Sequence, residues 1–151
     1  MNLLLDTNIL LHLSKDVDFH PRIKIINPDN WKMCASVVTI GELKSLALQN
    51  NWGMRKLQSV TEILEDVVVV EVGENLVDTY AEIDAYSQRR NPRITDYSFA
   101  TPRNMGKNDL WIAATASLLG LKLVTTDADF NHLHEVFIEV QVLKPKLFKA
   151  N

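Results

Sequence analysis

Cysteine is almost missing from this chain: Cys34 is the only one in 151 residues. An intramolecular disulfide is therefore impossible, and nothing argues for an oxidising, secreted setting. Long apolar runs are missing as well. No stretch approaches the roughly 20 residues that a membrane-spanning helix needs, so no membrane partner is expected. A dominant charge is also lacking. The net charge of -3 leaves no global footprint for a polyanion. No internal repeat and no low-complexity tract is visible. Met1 leads straight into an apolar run, which predicts no signal or transit peptide and a cytoplasmic protein.

What is present suffices for one domain over residues 1–151, with an ordinary hydrophobic fraction of 46%. Leu3–Leu5 reads as a strand buried on both faces, ending at Asp6. A short helix follows over Asn8–Leu13, then loop over Ser14–Asn30 with a possible helical piece at Arg22–Ile26. Met33–Val37 is a second strand. Thr39 and Glu42 have capping-box spacing, which predicts a helix over Ile40–Gln49 with Glu42 in its first turn. Met54–Leu64 is a helix with Leu57, Val60, Ile63 and Leu64 on one stripe. Val67–Val70 is the third strand, Glu74–Gln88 a helix with Leu76, Val77, Tyr80 and Ile83 inward. Asn108–Leu119 is a helix closed by Gly120, Leu121–Val124 a strand, Thr125–Leu133 a turn and short helix, and Phe137–Val142 the fifth strand. Strands alternating with helices predict an α/β fold with a five-stranded parallel sheet.

Acids recur at the ends of these strands. Asp6 ends the first, Glu42 follows the second, Asp109 opens the helix before the fourth, and Asp127 and Asp129 follow the fourth. Each alone has a bland reading as a helix cap, a capping-box partner or a turn residue. In a doubly wound sheet, however, these positions converge at one edge. Gathered carboxylates repel and raise one another's pKa, so a cluster calls for a cation. All-oxygen donors favour Mg²⁺ or Mn²⁺. Such a centre suits hydrolysis of a phosphodiester.

Leu5-Asp6-Thr7-Asn8, Thr39-x-x-Glu42-Leu43, Asn108-Asp109-Leu110-Trp111-Ile112-Ala113-Ala114 and Val124-Thr125-Thr126-Asp127-Ala128-Asp129-Phe130 resemble the four signatures of PIN domains. More narrowly they look like the VapC-type ribonuclease toxins of toxin–antitoxin pairs. The resemblance implies a three-layer α/β/α sandwich and metal-dependent endoribonuclease activity. It implies an acidic site of Asp6, Glu42, Asp109 and Asp127, with Asp6, Asp109 and Asp127 as metal ligands and Asp129 assisting. Thr7, Asn8 and Thr126 fall on polar positions that line such a site. RNA as substrate, a cognate antitoxin and a homodimer are further implications. Trp111, Ile112, Ala113 and Ala114 are expected to pack the helix on the sheet.

One segment departs from that pattern. Arg89–Lys107 is long and carries Arg89, Arg90, Arg93, Arg103 and Lys107 against a single acid, Asp96. It reads either as a basic flap over RNA, with Tyr97 and Phe99 free to stack on bases, or as a solvated insertion or dimer contact. His132 and His134 are expected on the surface, and Cys34 in the core. Two other functions fit less well. A phosphatase of the haloacid-dehalogenase type, with Asp6 as nucleophile, needs an acid where Asn8 stands. A non-catalytic RNA-binding or scaffold domain needs no complete acid set.

Overall fold

The computed structural model describes residues 1–15 and 18–148. Residues 16 and 17, part of the loop expected over Ser14–Asn30, lie outside that description. Strand β1 (Leu3–Leu5) leads into α1 (Thr7–Leu13) and α2 (His20–Ile26). Then come β2 (Met33–Ser36), α3 (Val37–Gln49), α4 (Met54–Glu65) and β3 (Val67–Val70). After a 3-10 turn at Glu74–Leu76 follow α5 (Val77–Ser87), α6 (Lys107–Leu119) and β4 (Lys122–Thr125). A 3-10 helix over Ala128–Leu133, β5 (Glu139–Val142) and a 3-10 turn at Pro145–Phe148 complete the described residues.

The five strands form one sheet in the order β3-β2-β1-β4-β5, and every neighbouring pair is parallel. Period-2 alternation divides the core into two layers. Leu4 and Cys34 face α5 and α6, packing with Ile83, Tyr86, Ile112 and Ala113. Leu3, Leu5, Met33 and Ala35 face the other way, among Ile9, Leu13, Leu43 and Ile63. That is the expected α/β/α sandwich, and it explains why β1 carries no polar residue: both its faces are covered. The chain leaves β1 towards β2 on one side and leaves β4 towards β5 on the other. The crevice beyond the carboxyl ends of β1 and β4 is therefore the topological switch point, where ligands bind in open α/β sheets. No helix among the described residues is long and apolar enough to cross a membrane.

Several local expectations need correction. The cap of α3 is Ser36, whose hydroxyl accepts from the Val38 N–H at 3.1 Å, not Thr39. The helix thus starts at Val37, and Glu42 lies in its second turn. Strand β2 ends one residue early because Ser36 takes the cap. The helical piece expected at Arg22–Ile26 is helix α2, which begins two residues earlier and has Pro21 in its first turn. Val77 and Leu57 are surface residues, 50% and 43% exposed. A 3-10 turn precedes α5 and rotates its inward stripe away from Val77. Strand β5 is shorter than predicted, beginning at Glu139. Gly120 behaves as expected: φ is +64°, the left-handed turn that ends α6 and admits glycine at no steric cost.

Candidate active site

The acids reach the switch point on four different elements. Asp6 ends β1, and its N–H continues the ladder by donating to the Val124 carbonyl at 3.0 Å. It is also the N-cap of α1, with Oδ1 accepting from the Thr7 N–H at 2.8 Å. Capping and chemistry are therefore not alternatives here, because the cap uses one oxygen and sets the direction of the other. That second oxygen, Oδ2, accepts a 2.7 Å hydrogen bond from the Thr125 hydroxyl. The same Thr125 oxygen accepts from the Asp127 N–H at 3.0 Å. One fully buried hydroxyl at the end of β4 thus ties Asp6 to the backbone of Asp127.

Asp127 in turn caps the 3-10 helix, with Oδ1 accepting from the Asp129 N–H at 2.8 Å. Glu42 comes from α3. The Thr7 hydroxyl donates to its Oε1 at 2.9 Å and lies 3.3 Å from the buried Thr39 hydroxyl. Asp109 sits in the first turn of α6, where the helix dipole favours a negative charge.

Electrostatics shows that these groups share one neighbourhood. Burial pushes the Asp109 carboxyl up to about 6, and the charges of Asp6, Asp127, Glu42 and Asp129 add to the rise in that order. Asp6 is also raised, first by burial, against the opposing hydrogen bonds from Thr125 and Thr7, with Glu42 and Asp127 pushing it up further. Asp6, Glu42, Asp127 and Asp129 thus all act on Asp109, the five acids coming from four elements.

The polar residues divide differently from the sequence reading. Thr7 holds Glu42, but Asn8 is exposed and lines a groove with Leu11, His12 and Trp52. Thr125, not Thr126, supplies the structural hydroxyl, and Thr126 is half-buried beside it. Strand alternation contains the missed signal: Thr125 is the last β4 residue, and a hydroxyl buried there must find a partner at the mouth of the sheet.

Two predictions arise from this arrangement. Thr125→Val keeps the shape and removes the hydroxyl, leaving Asp6 Oδ2 and the Asp127 N–H unpaired. With Asp6 as the metal ligand that the resemblance implies, Mn²⁺ affinity, measured by calorimetry, is expected to fall about 10–100-fold, and Thr125→Ser to restore it. Equal affinities in the Val and Ser variants would remove Thr125 from the site. The second concerns Asp109 in the metal-free protein. Its raised carboxyl binds a proton more tightly folded than unfolded, so the associated stability is present at low pH and lost as pH rises through about 6. Asp109→Asn is expected to melt higher than wild type above that pH and alike near its unshifted pKa of 3.8. The gain is about 1–2 kcal/mol, discounted because the carboxyl is partly solvated. Coincident metal-free melting curves at neutral pH would contradict a crowded acid cluster.

The aromatic rings of the basic segment and His132 are not as the sequence suggested, whereas His134 is exposed as expected. Phe99 is buried, meeting Tyr86 and His132 edge-on at 5.3 and 5.2 Å. The Tyr97 hydroxyl accepts from the Asn91 N–H and donates to its carbonyl, both at 3.1 Å. Neither ring is therefore free to stack on a base. His132 is a core residue, 8% exposed, with Nε2 2.8 Å from the Ser87 hydroxyl. The residues from Arg89 to Met105 are folded onto the α5–α6 face rather than standing off it as a flap, because two aromatic rings supply an anchor. His134 lies nearer the surface, its Nδ1 accepting from the Val140 N–H at 2.9 Å.

Among the described residues, no group of three or more His, Cys, Asp or Glu side chains is gathered tightly enough to enclose an ion. The donor set nevertheless fits a hard cation. It is all oxygen, its charges raise one another, and Mg²⁺ typically binds through one or two carboxylates while keeping waters. A closed cage of protein ligands is not required for such an ion.

Comparison with known proteins agrees with this fold. No curated protein sequence matches the chain. Solved structures share its fold. The VapBC2 complex of Rickettsia felis, bound to a promoter DNA fragment, has a TM-score of 0.72 at 16% identity, covering 94% of this chain and 98% of that one. VapBC-1 of nontypeable Haemophilus influenzae has a TM-score of 0.70 at 24% identity, with the same coverages of 94% and 98%. VapC20 of Mycobacterium tuberculosis, described as a toxin that cleaves the sarcin–ricin loop, has a TM-score of 0.60 at 19% identity, covering 92% and 98%. The family model of the PIN domain matches residues 3–136, spanning β1 and the fourth acid block alike. The chain belongs to the PIN domain family.

Proposed function

We propose that the protein is a metal-dependent endoribonuclease that hydrolyses RNA phosphodiester bonds, and that it is the toxin of a toxin–antitoxin pair. The observation that carries this reading is the convergence of Asp6, Glu42, Asp109 and Asp127 at the switch point, felt at Asp109 as a carboxyl pushed up to about 6. Asp6, Asp109 and Asp127 are the residues that would hold Mg²⁺ or Mn²⁺. Bound there, the ion supplies an activated water and stabilises charge on the phosphate in the transition state. Thr125 and the Thr7 N–H fix both oxygens of Asp6, and the Thr7 hydroxyl fixes Glu42. Asp129, two residues on from Asp127, adds negative charge at the rim, and half-buried Thr126 adjoins it.

Structural neighbours that are VapBC complexes support a cognate antitoxin; a homodimer belongs to the same reading. The test is incubation of the purified chain with RNA in Mg²⁺, Mn²⁺ or EDTA. Cleavage is expected with either metal, none in EDTA, and recovery when excess Mn²⁺ is added back. Cleavage that persists in EDTA would refute metal dependence. Co-purification with the product of a small adjoining reading frame would identify the antitoxin.

A further inference from the structure

The cations between α5 and α6 are used unequally. Arg93 is ion-paired with Glu82. Arg89 donates from Nη1 to the Ala100 carbonyl at 3.0 Å and lies over the Tyr97 ring. Arg103 is placed differently. Its backbone N–H donates to the Ser87 carbonyl at 2.7 Å, and its guanidinium lies 5.9 Å from the centre of the Phe99 ring. Phe99 packs edge-on against His132, and His132 belongs to the 3-10 helix that Asp127 caps. Arg103 is thus fastened, through one aromatic ring, to the element bearing Asp127 and Asp129. It is exposed, and among the described residues its guanidinium makes no ion pair with a carboxylate.

Arg103 and Asp129 act on the His132 ring in opposite senses, and Asp129 acts in turn on Asp109. A substrate strand entering a field of carboxylates meets repulsion, which a fixed cation at the rim offsets. Guanidinium matches the phosphate group with its planar fork of donors. Because Phe99 and Tyr97 are engaged in packing and hydrogen bonding, this rim offers charge without free stacking faces. Its contribution is to the sugar–phosphate backbone and carries no base preference.

We propose that Arg103 binds a backbone phosphate of the substrate strand beside the acidic edge, with Phe99 and the Ser87 carbonyl holding the arginine in place. This rests on the nuclease reading. Binding of a short fluorescein-labelled oligouridylate is followed by anisotropy in EDTA across a salt series, so that no cleavage intervenes. Losing one phosphate contact on a single strand flattens the slope of log K against log salt by about 0.7. Arg103→Gln is expected to show that change, and to weaken binding equally on oligoadenylate. Arg103→Lys keeps a charge at the position and is expected to retain most of the slope. Arg93→Gln, which removes only an ion pair with Glu82, is expected to keep all of it. Melting temperatures of the variants confirm that each is folded. An Arg103→Gln slope equal to wild type, an equal loss in Arg93→Gln, or absence of salt-dependent binding by the wild-type chain would each overturn the proposal. Failure of the nuclease reading is seen separately, as wild-type protein that binds the oligonucleotide but leaves it intact in Mn²⁺.

Discussion

Replacing Asp6 by Asn is expected to abolish metal-dependent RNA cleavage while leaving the protein folded. The side chain keeps its shape, its Oδ1 can still accept from the Thr7 N–H, and the Thr125 hydroxyl can turn to accept from the new amide. What disappears is the negative charge at the centre of the cluster. The loss in rate is expected to be at least about 10²–10³-fold, the scale of removing one group aimed at the transition state. Asp109→Asn should behave alike, since it removes the acid that every other member of the cluster acts upon. Metal-free stability should not fall in either variant, because both carboxyls are pushed up by burial and by their neighbours, and neutralising them relieves that repulsion. Activity within tenfold of wild type in both variants would sink the assignment of the site. A collapse of melting temperature would instead mean that the acids are structural.

Phe99→Ala is expected to lower stability by about 3–5 kcal/mol, the range for emptying a buried aromatic site. The ring is 6% exposed and lies against Tyr86, Tyr97 and His132. Against a total stability of about 5–15 kcal/mol, that loss is severe. At roughly 2–4 °C per kcal/mol for a chain of this size, the melting temperature drops by about 6–20 °C. The prediction separates two views of the residues from Arg89 to Met105. A mobile flap would lose Phe99 with no thermal consequence, whereas a segment built into the core would not. Chemical denaturation of Phe99→Ala beside wild type measures the difference directly, and an unchanged midpoint would show that the segment is a flap.

That segment also shows where reading the residues reaches its limit. Its charge was plain from the sequence, as were Pro92, Pro102 and Gly106. Burial of Phe99 was not, because an isolated aromatic in an irregular stretch has no period from which to infer a facing partner. The partner is His132, which lies in a different part of the chain and itself looked like a surface residue among polar neighbours. A Ser87 hydroxyl 2.8 Å from its ring makes burial of that histidine tolerable, and no local pattern announces such a pairing. Similarly, Thr39 and Glu42 matched a capping box by spacing, yet Ser36 became the cap. Strand β2 delivers Ser36 in extended conformation directly at the helix start.

The sequence by itself determined the alternation of strands and helices, the parallel sheet and the four acids at strand ends. Hydrophobic periodicity and short-range caps are local, and they are written residue by residue. Only the tertiary structure decided which hydroxyl holds Asp6. It put Thr125, 119 residues away in the chain, within 2.7 Å of that carboxylate. It also decided that Arg103 is held near the acid-bearing helix while Arg93 is spent on Glu82. Those outcomes depend on how the crossovers stack the two faces of the sheet, a property of the packed whole that no single segment carries.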